Sequence, residues 1–239
     1  EIKEIFLQLH EATEKLLARG AKGSLTVSLQ PSFAIQWLVP RLSLFSEEHS
    51  DIDVRIKAVD SDEGSLTDDV DVAIYYGRGS WRNLHADKLH TEYLLPVCSP
   101  LLLNGSKPLK EVADLRHHTL LHDGSRQAWK DWFVSQGFKN FNVNQGPIFS
   151  HTAMVLQAAI HGQGVALAHN VMARPDINSG RLIVPFHHVL LSKDSHYLVC
   201  RENQTELGKI VAFRQWMAKQ VELDQQDFAE QHFNNSTPD

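Results

Sequence analysis

Residues 146–168 constrain this chain more than any other stretch. Ile148 and Phe149 end a short apolar, β-prone run, and Ser150-His151-Thr152 makes a polar turn after it. The apolar segment from Ala153 to Ile160 reads as a helix, stopped at Gly162, which can take the left-handed conformation that ends one. Val165-Ala166-Leu167-Ala168 then has the make-up of a buried strand. A strand–turn–helix–strand unit of this kind calls for an α/β sheet, with the turn at a strand's carboxyl end, where open sheets of that class hold ligands. Ser150 and Thr152 are cap-type residues whose oxygens can accept the orphan N–H groups of the first turn. A hydroxyl beside a helix N-terminus also suits a carboxylate or another anion, so the turn reads either as a plain cap or as a small-molecule site.

The rest of the chain continues the alternation. Ser24–Leu29 is strand-like, and Ser32 can cap a helix carrying Phe33, Trp37, Leu38, Leu42 and Phe45, with Pro40 expected to kink or break it. Ile52–Val59 alternates as a half-exposed strand, a short helix is expected at about 62–66, and Asp71–Gly77 is a buried strand opening onto Arg78-Gly79-Ser80-Trp81. Leu89–Val97 reads as one strand and Thr119–His122 as another, followed by a helix around Trp129, Trp132 and Phe133. A turn-rich connector at Pro175–Gly180, strands at Leu182–Phe186 and Tyr197–Cys200, and an amphipathic helix at Leu207–Val221 complete the expectation. Strands alternating with helices imply an α/β fold with a parallel, doubly wound sheet. Ahead of all this, Ile2, Ile5, Leu9, Ala12 and Leu16 step by 3, 4, 3 and 4, a heptad stripe for a helix that either docks on its own domain or pairs with a second copy.

Composition narrows function by exclusion. With 42% hydrophobic and 22% charged residues the chain is ordinary globular material, and its net charge of −6 offers no nucleic-acid surface. Cys98 and Cys200 have no metal or redox spacing and fit a reducing, cytoplasmic setting. No apolar run approaches a membrane span, and no charged-then-apolar segment opens the sequence. His118 and His122 are four apart, but Thr119-Leu120-Leu121 between them reads as extended, so the histidines are expected on surfaces or in packing rather than on a metal. Ser150 and His151 are adjacent, no Gly-x-Ser-x-Gly elbow surrounds them, and Gly162-Gln163-Gly164 lacks the dinucleotide fingerprint. Neither catalysis nor a cofactor is expected. Asp123, after a strand, is either a turn aspartate or a partner for an amino group.

Taken together, Pro31–Leu42, Asp69–Gly79, Tyr93–Pro100 and Ala158–Leu167 resemble the effector-binding part of LysR-type transcription regulators. The likeness runs from Gly23 to about Val221, and Asp71-Val72-Ala73-Ile74 with Gly162-x-Gly164-Val165-Ala166 is its most specific wording. The resemblance implies two Rossmann-like lobes of the type II periplasmic-binding-protein kind with a two-strand hinge. Lobe one would be 23–93 plus 201–223 and lobe two 94–200, preceded by the end of a linker helix at 1–20 and followed by a disordered tail at 224–239. It implies a small-molecule effector, glycine or a purine, held between the lobes. Contacts would come from Ser32 and Phe33, from Tyr75, Tyr76 and Arg78, from His122, Asp123 and Ser125, and from Phe149, Ser150, His151 and Thr152, with His196 and Tyr197 closing the pocket. It also implies a homodimer or homotetramer that meets DNA only through a winged helix-turn-helix not found in this sequence. A transport-linked solute receptor of the same fold is the alternative, and the heptad stripe favours the regulator. An enzyme ranks third.

Overall fold

The structure is a computed structural model that describes residues 22–60 and 66–233. The chain divides into two compact units, each built on one five-stranded sheet.

Unit one contains β1 (Gly23–Leu29), β2 (Ile52–Ala58), β3 (Val72–Gly77), β4 (Leu84–Lys88) and β10 (Ser195–Arg201), in the order β2-β1-β3-β10-β4. β1 runs parallel to β2 and β3, whereas β10 is antiparallel to both β3 and β4. Leu25, Val27 and Leu29 are fully buried, as an interior strand demands, while β2 on the sheet's edge keeps Asp53 and Arg55 exposed. The helices Leu42–Glu48 and Gly208–Phe233 meet through aromatic edges: the Phe45 ring lies 5.3 Å from Phe213 and 5.3 Å from Trp216. Such offset ring pairs stabilise by about 0.5–1.5 kcal/mol each beyond the area they bury. The last helix continues well past Val221. Asp224, expected in a disordered tail, is buried in it, and its carboxylate accepts from Arg41 Nη2 at 2.9 Å.

Unit two contains β5 (Tyr93–Val97), β6 (Leu120–Asp123), β7 (Ile148–Phe149), β8 (Val165–His169) and β9 (Leu190–Leu191), in the order β7-β6-β8-β5-β9. β6 is parallel to β7 and β8, and β5 is antiparallel to β8 and β9. Both sheets thus share one plan, three parallel strands followed by two antiparallel pairings, so the expected parallel arrangement forms one side of each sheet. The helix Gln127–Ser135 presents Trp129, Trp132 and Phe133 at i, i+3 and i+4 to the core, and Trp129 Nε1 donates to the Leu121 carbonyl at 3.0 Å. The helix Thr152–Ile160 follows β7 and ends at Gly162, whose φ is +72°.

Several expected boundaries differ. Residues 31–40 belong to unit two, because Gln36 Nε2 donates to Met172 O at 3.2 Å and to Asp176 Oδ2 at 2.9 Å. The helix expected from Ser32 is broken into an α turn at Pro31–Phe33, a π-helical stretch at Ala34–Leu38 and a 3-10 turn at Val39–Arg41 around Pro40, which has no N–H to continue the ladder. β10, assigned on the resemblance to lobe two, is an interior strand of unit one. Leu89–Val97 is not one strand: Tyr93 begins β5 with its N–H donated to Asn170 Oδ1 at 2.9 Å, while Leu89 N–H donates to His196 O. The connector expected at Pro175–Gly180 is mostly helix, Asn170–Asn178, held in spite of Pro175 by buried Asp176, which also pairs with Arg181. Leu182–Phe186 makes only an isolated bridge, Ile183 to Cys98, and fills the core with Leu182 and Phe186. The heptad stripe and residues 61–65 of the short helix lie outside the described residues.

Candidate functional site

In unit two the parallel strands β6 and β7 end side by side at Asp123 and Phe149, and the helix Thr152–Ile160 begins just beyond them. Thr152 Oγ1 donates to Asp123 Oδ2 at 2.5 Å, a short charge-assisted bond. Ser150 Oγ lies 2.7 Å from His151 Nδ1. Neither hydroxyl caps the helix, and His151 at the cap position makes no side-chain cap bond. The cap comes instead from Ser32, 121 residues earlier, whose Oγ accepts the Ala153 N–H at 3.0 Å. Ser32 was expected to cap its own helix, but it sits within an α turn, and its buried hydroxyl serves a neighbouring helix that brings an unsatisfied N–H against it. The result is a compact set of Ser32, Asp123, Ser150, His151 and Thr152 at a helix N-terminus. Among the described residues, Asp123 Oδ1 has no protein donor, so the carboxylate is left able to meet a cation.

The other expected contacts in unit two do different work. Phe33 is fully buried and stacks on Trp37 with ring centroids 5.2 Å apart, which makes it a core residue rather than a ligand contact. His122 alternates to the opposite face from Asp123; its ring is buried, and Nε2 is 2.8 Å from the Gln145 carbonyl. Burial holds its pKa below 6.5, against the opposing effect of that hydrogen bond. Ser125 Oγ accepts the Gln127 N–H at 3.3 Å, at the start of the helix Gln127–Ser135. Phe149 is half-buried at the end of β7.

Unit one brings together a separate aromatic group where β3 ends and β10 begins. Tyr75 and Trp81 are 5.5 Å apart, and Trp81 and Tyr197 are also 5.5 Å apart, edge to face. Gly79, at φ +81°, lies flat on Tyr197: a Cβ there would come within 2.6 Å of the ring. Tyr76 packs on buried His196 at 4.9 Å, and Arg78 Nε pairs with Asp194 Oδ1 at 3.2 Å on the exposed surface. Trp81 and Asp194 are not among the contacts expected from the sequence. The glycines on either side of Arg78 are the available signal for Trp81: a Cβ at Gly77 would come within 3.2 Å of the indole, and Gly79 takes a positive φ.

Among the described residues no group of three or more His, Cys, Asp or Glu side chains is placed to hold a metal ion, and no helix is long and apolar enough to cross a membrane. Cys98 and Cys200 are buried and free, and burial raises both thiol pKa values, to about 12 for Cys98.

Residues 18–222 match the family described as LysR substrate binding domain. The chain is 64% identical over 228 residues to the glycine cleavage system transcriptional activator of Escherichia coli (strain K12), covering 95% of this chain and 75% of that protein. It is 40% identical over 227 residues to the glycine cleavage system transcriptional activator homolog of Haemophilus influenzae, with the same 95% and 75% coverage. The effector domain of the transcriptional regulator AmpR of Pseudomonas aeruginosa superposes with a TM-score of 0.73 at 28% identity, over 87% of this chain and 100% of that one. These relatives are named as transcription regulators, which disfavours the transport-receptor alternative. The chain belongs to the LysR substrate-binding-domain family, as the effector-binding domain of a LysR-type transcription regulator.

Proposed function

We propose that this domain senses a small zwitterionic or anionic effector at the cluster of Ser32, Asp123, Ser150, His151 and Thr152, and so governs glycine-cleavage genes. The observation that carries the site is the Thr152–Asp123 bond, which fixes a carboxylate beside a helix N-terminus. An ammonium group suits the open side of Asp123, and a carboxylate suits the helix end with the Ser150 hydroxyl, so both ends of an amino acid find a complement. The glycine-cleavage role follows from the 64% identical activator, and glycine is the first probe, with a purine second. The working protein is a cytoplasmic homodimer or homotetramer whose DNA contact belongs to a winged helix-turn-helix of the whole regulator.

Calorimetric titration of the domain with glycine tests the reading. Thr152→Ala removes one hydrogen bond to a charged group, worth about 1.5–3 kcal/mol where water cannot replace it. Binding should weaken by roughly ten- to hundredfold. Wild-type affinity in well-folded Thr152→Ala, or tight binding of apolar compounds alone, removes this turn from the effector site.

A further inference from the structure

Unit two has a groove of 580 Å³ at the amino end of β6. It lies between the 3-10 turn Val112–His117 and the chain from Phe138 to Gly146. The cluster described above starts at Asp123, the other end of the same strand. At about 3.3 Å per residue, Thr119 and Asp123 are separated by ~13 Å. The two places are distinct.

One wall carries the Arg116 guanidinium with two imidazoles, and the other is rich in amides. Arg116, His117 and His118 line the first; Arg116 Nε donates to the Ala113 carbonyl at 2.7 Å, which fixes the guanidinium and leaves its outer nitrogens for a guest. Burial lowers the His118 pKa, so that ring is a neutral hydrogen-bonding group near pH 7. Asn140, Asn142 and Gln145 face it from the second wall. No aspartate or glutamate lines the groove. Asp114, beside the first wall, is an ionised carboxylate: its Oδ2 accepts the N–H groups of Lys110 and Glu111, both at 2.9 Å, these bonds hold its pKa low, and its charge also acts on Arg116 and His117 from behind that wall.

The groove also carries aromatic surface. Phe141 stacks on core residue Phe133 at 3.8 Å with planes 12° apart, so it is a fixed platform, and Phe138 stands nearly perpendicular to it at 87°. Gly146 presses the second wall onto β6: its φ is +97°, and a Cβ would lie 2.0 Å from the Leu120 carbonyl oxygen.

We propose that this groove is a second ligand site, for a planar aromatic ring bearing one anionic group. A guanidinium with imidazole and amide donors, in a groove lined by no carboxylate, selects an anion. Two ring faces at right angles select a flat apolar body. The volume falls within the ~300–1,000 Å³ of small-molecule sites. The site does not depend on the effector reading above.

Phenyl phosphate titrated into the whole chain, followed by backbone amide resonances, provides the test. The expected result is saturable shifts at Thr119, Asn140, Asn142 and Gly146. Arg116→Gln and Asn140→Asp alter exposed side chains and should weaken binding about tenfold, the order of one charge-assisted hydrogen bond. Inorganic phosphate, which lacks the ring, and benzyl alcohol, which lacks the charge, should each bind at least about tenfold more weakly. The proposal is overturned if inorganic phosphate matches phenyl phosphate, if shifts appear only near Asp123 and Thr152, or if both variants bind as the parent does.

Discussion

Replacing Ser32 by alanine removes a helix cap that the helix itself does not encode. The Ser32 hydroxyl accepts the Ala153 N–H at 3.0 Å across 121 residues of sequence. Loss of a side-chain cap costs about 0.5–2 kcal/mol, typically near 1. Ser32 is only 4% exposed and Ala153 is half-buried, so water replaces the missing oxygen poorly and the cost belongs in the upper half, ~1–2 kcal/mol. For 150–250 residues each kcal/mol moves the melting temperature by about 2–4 °C, which gives an expected fall of ~2–8 °C. Hydrogen exchange gives the sharper reading. The first-turn amides from Ala153 should exchange about 5–30-fold faster, while those of the helix Gln127–Ser135 stay unchanged. Ser150→Ala is the matched control, since that hydroxyl lies against the His151 ring rather than a backbone N–H. Unaltered protection at Ala153 in Ser32→Ala, or a larger loss in Ser150→Ala, would refute the long-range cap and restore the local one.

Gly146→Ala should destabilise unit two by more than ~1 kcal/mol, because the new Cβ meets the Leu120 carbonyl at 2.0 Å in a left-handed backbone; an unchanged melting temperature would contradict this. Stability should also fall in mild acid. Burial sets the folded pKa of His122 and His118 below the 6.5 of the unfolded chain, so their contribution is complete above pH 6.5 and is lost as pH drops through the folded values. Urea unfolding at pH 7.5, 6.5 and 5.5 should show the decline, and His122→Gln should flatten it without abolishing it, since His118 still titrates; an equal slope in the variant would assign the effect elsewhere.

The α/β pattern was readable wherever burial and period coincide. β3 and β8 are interior strands with near-continuous apolar runs, β1 alternates around buried Leu25, Val27 and Leu29, and Trp129, Trp132 and Phe133 mark their helix by spacing alone. Reading failed where tertiary bonds overrule local preference. Pro175 looked like a breaker, yet its helix is anchored by Asp176 against Gln36 and Arg181. The single run Leu89–Val97 hides a break that only the partners of Leu89 and Tyr93 reveal. At the candidate site, the sequence picks out the turn but not the long-range bonds within it. A cap is one of the two readings of Ser150 and Thr152, because a hydroxyl's nearest partners along the chain are backbone N–H groups. Asp123 and Ser32, distant in sequence, compete for those positions and win.

The interior position of β10 has a consequence for the order in which the chain can assemble. Unit two draws on Pro31–Pro40 and Thr91–Lys193, all made before β10 leaves the ribosome. Unit one cannot close so early: β3 and β4 do not pair with each other, and each lacks a neighbour until Ser195–Arg201 slots between them. For much of its synthesis the first-made sheet therefore exposes two open edges, the kind of surface that recruits foreign strands. The late insertion of one seven-residue strand joins β3 to β4 and completes the five-stranded sheet, so loss of the chain beyond Lys193 would damage unit one, most of whose strands are made earlier.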